Sequence, residues 1–247
     1  MKRYAFILAA GLCCSAPVAM AADSPHEFSA NVALTTDYVF RGISQTNEKP
    51  AVQGGFDYSY TPLGAYLGVW ASNVDFNGPG NSDGTAAEID YYGGISNEIL
   101  ATGVGYDVGV IYYNYPGGSS AANEDYIEYY GGLSYDFDSV PLKPSTSLKV
   151  YYSPDFFGGT GDAQYYDLGA DLSLPYALTL GLHAGYQNVK GAGGAGFNYG
   201  DYKVGLSRDV GKFNLDLSYY DVSDQADACG SGDICDSRVV FTVSSSW

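Results

Sequence analysis

Residues 238–247 read Arg-Val-Val-Phe-Thr-Val-Ser-Ser-Ser-Trp, and their alternation decides the fold class. Val239, Phe241, Val243, Ser245 and Trp247 share one face, and Arg238, Val240, Thr242, Ser244 and Ser246 the other, because successive side chains of a strand point to opposite sides. One face is apolar and ends in an aromatic ring; the other is mostly small and polar. A strand of this kind crosses lipid only as part of a closed barrel, since any unpaired edge leaves backbone N–H and C=O groups without partners in hydrocarbon.

The amino end supports export. Lys2 and Arg3 form a positive start, Tyr4 to Leu12 an apolar run, and Ala19-Met20-Ala21 an A-x-A cleavage pattern. The expected division is therefore a signal peptide over residues 1–21 and a barrel over 22–247. Leu12 is bulky where a lipoprotein signal wants a small residue, so no lipid anchor is expected at Cys13 or Cys14. No stretch approaches the ~20 continuous apolar residues of a spanning helix. An exported chain without such a helix is either soluble outside the cytoplasm or a membrane barrel.

Composition favours the barrel. The chain holds 25 Tyr and 33 Gly, with 16% charged residues. Tyr suits a membrane–water interface, where its ring stays apolar and its hydroxyl reaches water, and Gly supplies turns and small lumen positions. The formal net charge is −17, and loss of Lys2 and Arg3 with the signal takes it to −19. That excludes nucleic acid as a partner, because phosphate binding needs Lys and Arg, and it suits attraction of cations. After cleavage two cysteines remain, Cys229 and Cys235, in a Gly/Asp-rich stretch. An oxidising periplasm favours a loop disulfide; the alternative is a metal site with Asp227, Asp233 and Asp236, a weak zinc set without a neighbouring His.

Period-2 segments of about ten residues recur from Phe28 to Trp247, about twelve in all, an even number that puts both ends of the barrel chain on one side. The first is expected to run Phe28, Ala30, Val32, Leu34, Thr36, Tyr38, Phe40 outward and Ser29, Asn31, Ala33, Thr35, Asp37 inward. The second carries Val52, Phe56, Tyr58 and Tyr60 outward and Gln53, Asp57 and Ser59 inward. Short connections are expected at Thr61–Gly64, Ser96–Thr102, Asp138–Pro144, Pro175-Tyr176 and Asp209–Lys212, with Pro and Gly where tight turns want them. Longer ones are expected at Gly42–Pro50, Asp75–Ala87, Pro116–Glu124, Pro154–Asp162, Asn188–Asn198 and Ser223–Asp236. Long loops on one side and short turns on the other are the asymmetry of outer-membrane barrels.

Four segments repeat an acid with a Ser six residues later: Asp90–Ser96, Glu128–Ser134, Asp167–Ser173 and Asp201–Ser207. The repeat unit is one hairpin, as in an up-and-down barrel. Each acid has the parity of its Ser and opposes the aliphatic residue between them, so each acid is expected to face the lumen.

The stretch Phe28–Phe76 contains Thr36-Asp37-Tyr38-Val39-Phe40-Arg41-Gly42-Ile43-Ser44-Gln45, then Gly68-Val69-Trp70-Ala71-Ser72-Asn73-Val74. In these runs, in the repeat Asp90–Ser96 and in the strand around Gly103–Tyr113, the chain resembles the TorF porin family, formerly an uncharacterised proteobacterial outer-membrane family. The similarity extends over most of the mature chain. It implies an outer-membrane β-barrel with pore activity, and it carries over no catalytic residue and no substrate.

Parity places Asp37, Asp57, Asp90, Asp107, Glu128, Asp167, Asp171, Asp201 and Asp216 in the lumen, against Arg41, Lys149, Lys203 and Arg238. An excess of acids favours cation passage. The competing reading pairs them across strands, Asp201 with Lys203 and Asp216 or Asp167 with Lys149. Inward Tyr92, Tyr113, Tyr130, Tyr151 and Tyr165 either fill the lumen, the preferred reading, or line a path for flat solutes. Outward Phe56, Tyr58, Tyr60, Tyr166 and Trp247 read as an interfacial girdle. The acidic loop residues Asp75, Asn77, Asn81 and Asp83 match no calcium loop well and read as solvated.

An enzyme reading meets two His only, His26 before the first strand and His183, lumen-facing on the ninth. The same-face neighbours of His183 are Thr179, Gly181, Gly185 and Gln187, and no Gly-x-Ser-x-Gly elbow occurs. The sequence thus predicts an all-β transmembrane antiparallel up-and-down barrel of about twelve strands in the outer membrane of a Gram-negative cell. Its expected function is narrow, passive, cation-preferring transport of small solutes, without catalytic residues, metal or cofactor. Expected partners are outer-membrane lipid, the solutes, and the barrel-assembly machinery that reads the strand ending in Trp247; monomer and trimer are both open. The rivals are a plugged structural or surface-interaction barrel acting through its outer loops, a lipid-modifying barrel enzyme, and a soluble secreted β-protein.

Overall fold

The computed structural model describes residues 24–76, 84–118, 122–191, 196–225, 229 and 232–247. The expected signal segment with Cys13 and Cys14 lies outside these residues, as do Asn77, Asn81, Asp83 and Asp227. In chain order the strands are β1 (His26–Thr35), β2 (Val39–Phe40), β3 (Ile43–Ser44), β4 (Ala51–Tyr60), β5 (Ala65–Asn73), β6 (Ala87–Glu98), β7 (Val104–Asn114), β8 (Tyr126–Asp136), β9 (Ser145–Ser153), β10 (Ala163–Leu174), β11 (Leu178–Val189), β12 (Phe197–Val210), β13 (Phe213–Val222) and β14 (Arg238–Ser246).

All but β2 and β3 form a closed antiparallel barrel of twelve strands, each paired with its sequence neighbour, with β1 bonded to both β4 and β14. Residues Asn31–Thr35 pair with Thr242–Ser246 across the closing seam. Trp247 extends that seam: its N–H donates to Ala30 O at 3.0 Å and its carbonyl accepts from Ala30 N at 2.9 Å. Closure leaves no strand edge to satisfy. The short connections 61–64, 99–103, 137–144, 175–177 and 211–212 lie at the end where β1 begins and β14 finishes, and the long connections lie at the other.

Burial is inverted relative to a soluble protein. Leu34, Phe56, Leu67, Leu133, Leu168 and Leu217 stand outward and exposed, whereas Asp107, Glu128, Gln187 and Ser218 are buried inside. That is the distribution of a barrel meant for lipid, with polar groups sheltered in its lumen. Glycine makes room for the inward rings. Tyr92 lies opposite Gly68, Tyr66 opposite Gly94 and Tyr130 opposite Gly109, and a Cβ at any of these glycines would collide with the facing phenol. A large ring on one strand over a bare backbone on the next packs a curved wall without a void.

The first expected strand is corrected. Its alternation continues to Phe40, but β1 ends at Thr35 and the chain turns into the lumen. Tyr38, expected outward, is 2% exposed and packs edge-on against Trp70 with ring centroids 5.3 Å apart. His26, expected before the first strand, opens it, with Nδ1 2.7 Å from the Tyr58 hydroxyl.

Leu168 sits near the middle of β10 with 56% of its surface exposed on the outer face. Leu168→Arg is expected to cost ~2–4 kcal/mol in folding from urea into lipid vesicles, the range for a cation at the bilayer midplane. Leu168→Ala, measured alongside, should cost much less; equal costs would mean this face does not meet hydrocarbon.

Candidate functional site

The connection from β1 to β4 builds the centre of the lumen. Thr35 Oγ1 donates to Asp37 O at 2.8 Å and turns the chain inward. Asp37 then gathers donors: Ser44 Oγ at 2.7 Å and Thr46 Oγ1 at 2.8 Å on Oδ1, and Arg238 Nη1 at 2.9 Å on Oδ2. The two short strands β2 and β3 pair as a hairpin, Val39 with Ser44 and Phe40 with Ile43. Their turn is Arg41-Gly42, with φ of 48° and 80°. Two positive φ values match the twist of a tight hairpin but strain a non-glycine residue such as Arg41. Gly42 is required sterically as well, since a Cβ there would collide with Val222 Cγ2 and Asp201 Cβ.

The hairpin tip reaches the wall opposite β1. Arg41 Nη1 and Nη2 donate to the two carboxylate oxygens of Glu128 on β8 at 2.9 and 2.6 Å, and Nη1 also donates to Gln187 Oε1 on β11 at 2.8 Å. Its guanidinium carbon lies 4.1 Å from the ring centroid of Tyr165 and 5.2 Å from that of Tyr151. A bidentate guanidinium–carboxylate pair between aromatic faces is strong because water is excluded from it.

Above this pair, toward the long loops, aromatic side chains fill the lumen. Tyr113 and Tyr126 stack with centroids 4.4 Å apart, and Phe156 and Phe157 pack edge-on against Tyr126. Phe76 meets both Tyr115 and Phe157. The β7–β8 loop is clasped by Asp125, which accepts from Tyr115 N at 2.7 Å, Tyr112 OH at 2.8 Å and Asn114 Nδ2 at 2.9 Å. Burial of Asp125 acts to raise its pKa, but these three donors outweigh it and hold the carboxyl below its usual range.

The sequence-derived lumen residues take distinct roles. Asp90, Glu128, Asp167 and Asp201 of the four repeats all face inward and are buried. Glu128 holds Arg41. Asp201 and Asp167 flank His183, whose Nε2 is 2.9 Å from Asp201 and whose Nδ1 is 3.7 Å from Asp167. Tyr165 OH donates to Asp201 Oδ2 at 3.0 Å. Asp216 accepts from Ser218 Oγ at 2.6 Å. Tyr92 hydrogen-bonds Asp57, and Tyr66, bonded to Tyr130, donates to Asp107 at 2.6 Å. Asp171 is exposed within the half of the lumen nearer the short turns, and Lys203 lies 5.7 Å over the ring of Tyr220.

Two expected pairings differ. Lys149 donates to Asp107 on β7 at 2.9 Å, reaching across β8, where Gly132 leaves its path clear. Asp201 takes His183 and Tyr165 as partners in place of Lys203 and Asp216. Arg238 braces the inward connection, 2.9 Å from Asp37 and 3.3 Å from Glu48, and donates to Asp233 O and Asp236 O of its own loop. In that loop Cys229 and Cys235 are joined by a disulfide, with Cα atoms 6.1 Å apart, and Ile234 O accepts from Ser44 N at 2.9 Å. His183 sits between the carboxylates of Asp167 and Asp201, with Nε2 also 3.0 Å from the Tyr165 hydroxyl. Sequence reasoning missed Glu88, which is 1% exposed; its parity with Asp90 was the available signal.

A family model described as "Bacterial protein of unknown function (Gcw_chp)" matches residues 19–247, and the chain belongs to that family. The family is reported under this description, and the TorF name does not come with it. No curated protein matches the sequence. Among solved structures, the KdgM porin superposes with a TM-score of 0.57 at 10% identity, covering 89% of this chain and 98% of that one. OmpF of Salmonella typhi, in complex with daunomycin, gives 0.48 at 9% identity over 90% and 97% of the two chains. OpdK of Pseudomonas aeruginosa gives 0.47 at 15% identity over 81% and 58%. At 10% identity the likeness to the KdgM porin is one of fold.

Removing one partner of a buried ion pair strands the other charge, at a typical cost of ~3–5 kcal/mol. Arg41→Ala is therefore expected to lower the unfolding free energy of the refolded barrel by about that much. The joint change Arg41→Met with Glu128→Met should cost clearly less than Arg41→Ala, and a double variant as unstable as the single would deny the pair its role.

Proposed function

We propose that this Gcw_chp barrel is an outer-membrane channel of porin type, exported by a signal over residues 1–21, through which small solutes diffuse passively by a narrow, cation-preferring path. The observation that carries this reading is a closed barrel, apolar outside, whose lumen is lined with charge. The likeness to the KdgM porin fold and the sequence resemblance to the TorF porin family both support it. Outer-membrane lipid and the machinery that reads the strand ending in Trp247 are the partners this reading implies.

Cation preference follows from the balance of lumen charge. Asp57, Asp90, Asp167, Asp171, Asp201 and Asp216 face the interior, while Arg41, Lys149 and Arg238 are committed to Glu128, Asp107 and Asp37, and Lys203 lies over the ring of Tyr220. A cation entering past Asp171 gains from these acids, and an anion is repelled. The path is narrow because the Arg41 hairpin crosses the lumen and aromatic rings fill the space above it. Selectivity is electrostatic and steric, and no bond is made or broken.

The same hairpin favours a second reading, a plugged barrel that acts through its outer loops. Planar-bilayer conductance of the refolded protein under a salt gradient separates the two. The channel reading expects small discrete steps with a cation-selective reversal potential, larger steps for Arg41→Ala, and weaker selectivity for Asp171→Asn with Asp216→Asn. Silence from folded protein, with and without Arg41→Ala, would establish the plug, and preferential anion passage would reject the filter.

A further inference from the structure

Four bases face the lumen, and three are held by carboxylates: Arg41 by Glu128, Lys149 by Asp107 and Arg238 by Asp37. Lys203 differs. Among the described residues no carboxylate oxygen lies within ion-pair distance of it, and its ammonium stands 5.7 Å over the ring of Tyr220. Its register neighbours are His183 on β11 and Tyr220 on β13. Asp201 and Asp167 on this wall are turned to the imidazole of His183, 2.9 Å from Nε2 and 3.7 Å from Nδ1. Two residues beyond Lys203, Gly205 pairs with Gly181, and the two bare backbones leave a trough in the wall. The Lys203 stem and the Asp216 carboxylate lie against the space a Cβ would take at Gly205, and Asp171 Oδ1 against that at Gly181. Asp171 is exposed and Lys203 half-buried, so an ion in the trough meets both charges.

We propose that Lys203 is the specificity-determining residue of this half of the path, a fixed positive charge that lets monovalent cations pass and keeps divalent cations from lodging at Asp171 and Asp216. The inference rests on the channel reading. Conduction requires that binding be favourable enough to enter and weak enough to leave. Two carboxylates beside a bare trough are the oxygen donors that hard divalent ions select, and an ion held there blocks a narrow path. The energy of an ion near a fixed charge scales with the charge of the ion, so the Lys203 ammonium opposes a divalent cation twice as strongly as a monovalent one. A base closed in a bidentate pair, as Arg41 is, presents little net field to a passing ion. Lys203 keeps its field because a ring face, and not a carboxylate, holds it.

Planar-bilayer conductance in potassium chloride, with calcium chloride titrated on both sides, reads the effect. Wild-type protein is expected to keep most of its potassium current as calcium rises. Lys203→Met is expected to be blocked at calcium concentrations about tenfold lower, and Lys203→Arg to behave as wild type. Lys203→Met combined with Asp171→Asn and Asp216→Asn should lose the block. Heat-dependent gel mobility shows that each variant is folded, and Lys203→Gln carries the same comparison where the methionine variant does not fold. A folded, conducting Lys203→Met with the calcium response of wild type would overturn the inference and leave the channel standing. A block that survives loss of both acids would place the ion elsewhere and overturn it equally. Silence of folded wild-type protein and of Arg41→Ala would overturn the channel reading, and this inference with it.

Discussion

Hydrocarbon offers no partner to a backbone amide, and the whole architecture answers to that constraint. Every strand except the inner hairpin must be bonded on both sides, so β1 has to meet β14, and the seam is drawn tight by the paired bonds between Ala30 and Trp247. Once twelve strands close, the radius is set, and it exceeds what ordinary side chains fill, a limit reached near eight strands. The surplus interior is the problem the rest of the sequence solves. Large phenols laid over glycines on the next strand thicken the wall without pushing strands apart. The connection between β1 and β4, folded inward, occupies the centre.

Filling the interior with polar groups creates a second demand, because a lumen sheltered from bulk water cannot leave charges unmatched. Each solution joins different strands or connections. Arg41 comes from the first connection to Glu128 on the far wall, Lys149 crosses a whole strand to Asp107, and His183 stands between Asp167 and Asp201. Asp37 serves the hairpin as a common acceptor for Ser44, Thr46 and Arg238. Where this matching runs short, at Glu88 and Asp90, two buried carboxyl oxygens are left without a hydrogen-bond partner.

The wall was legible from the chain because a strand period of two residues is a local property. The outward Val239, Phe241 and Trp247 and the inward acids of the four repeats follow from parity alone. The hairpin was not legible, for the alternation of Thr36, Tyr38 and Phe40 continues that of β1 without a break. What ends β1 at Thr35 is tertiary: a glutamate 87 residues beyond Arg41 and a tryptophan wall that receives Tyr38. Charge partners failed for a related reason. Register says which residues are adjacent, but Lys149 is long, and the bare backbone of Gly132 lets it pass over β8 to a carboxylate two strands away.

The strain at Arg41 bears on how such a lumen works. A non-glycine residue held at positive φ, in a turn whose next residue has no room for a Cβ, persists only where its surroundings over-determine it. Here the determinants are distributed: Glu128 and Gln187 hold the tip, Asp37 the base, and Ile234 and Arg238 the flank. No one contact sets the position of the hairpin, so loss of one shifts it less than its energy suggests. Any solute path must run between this element and the wall, past strand side chains and past the Phe76, Phe156 and Phe157 rings that the long connections fold into the lumen. The width of that path is then a property of the folded interior, fixed by the same contacts that let the interior be built.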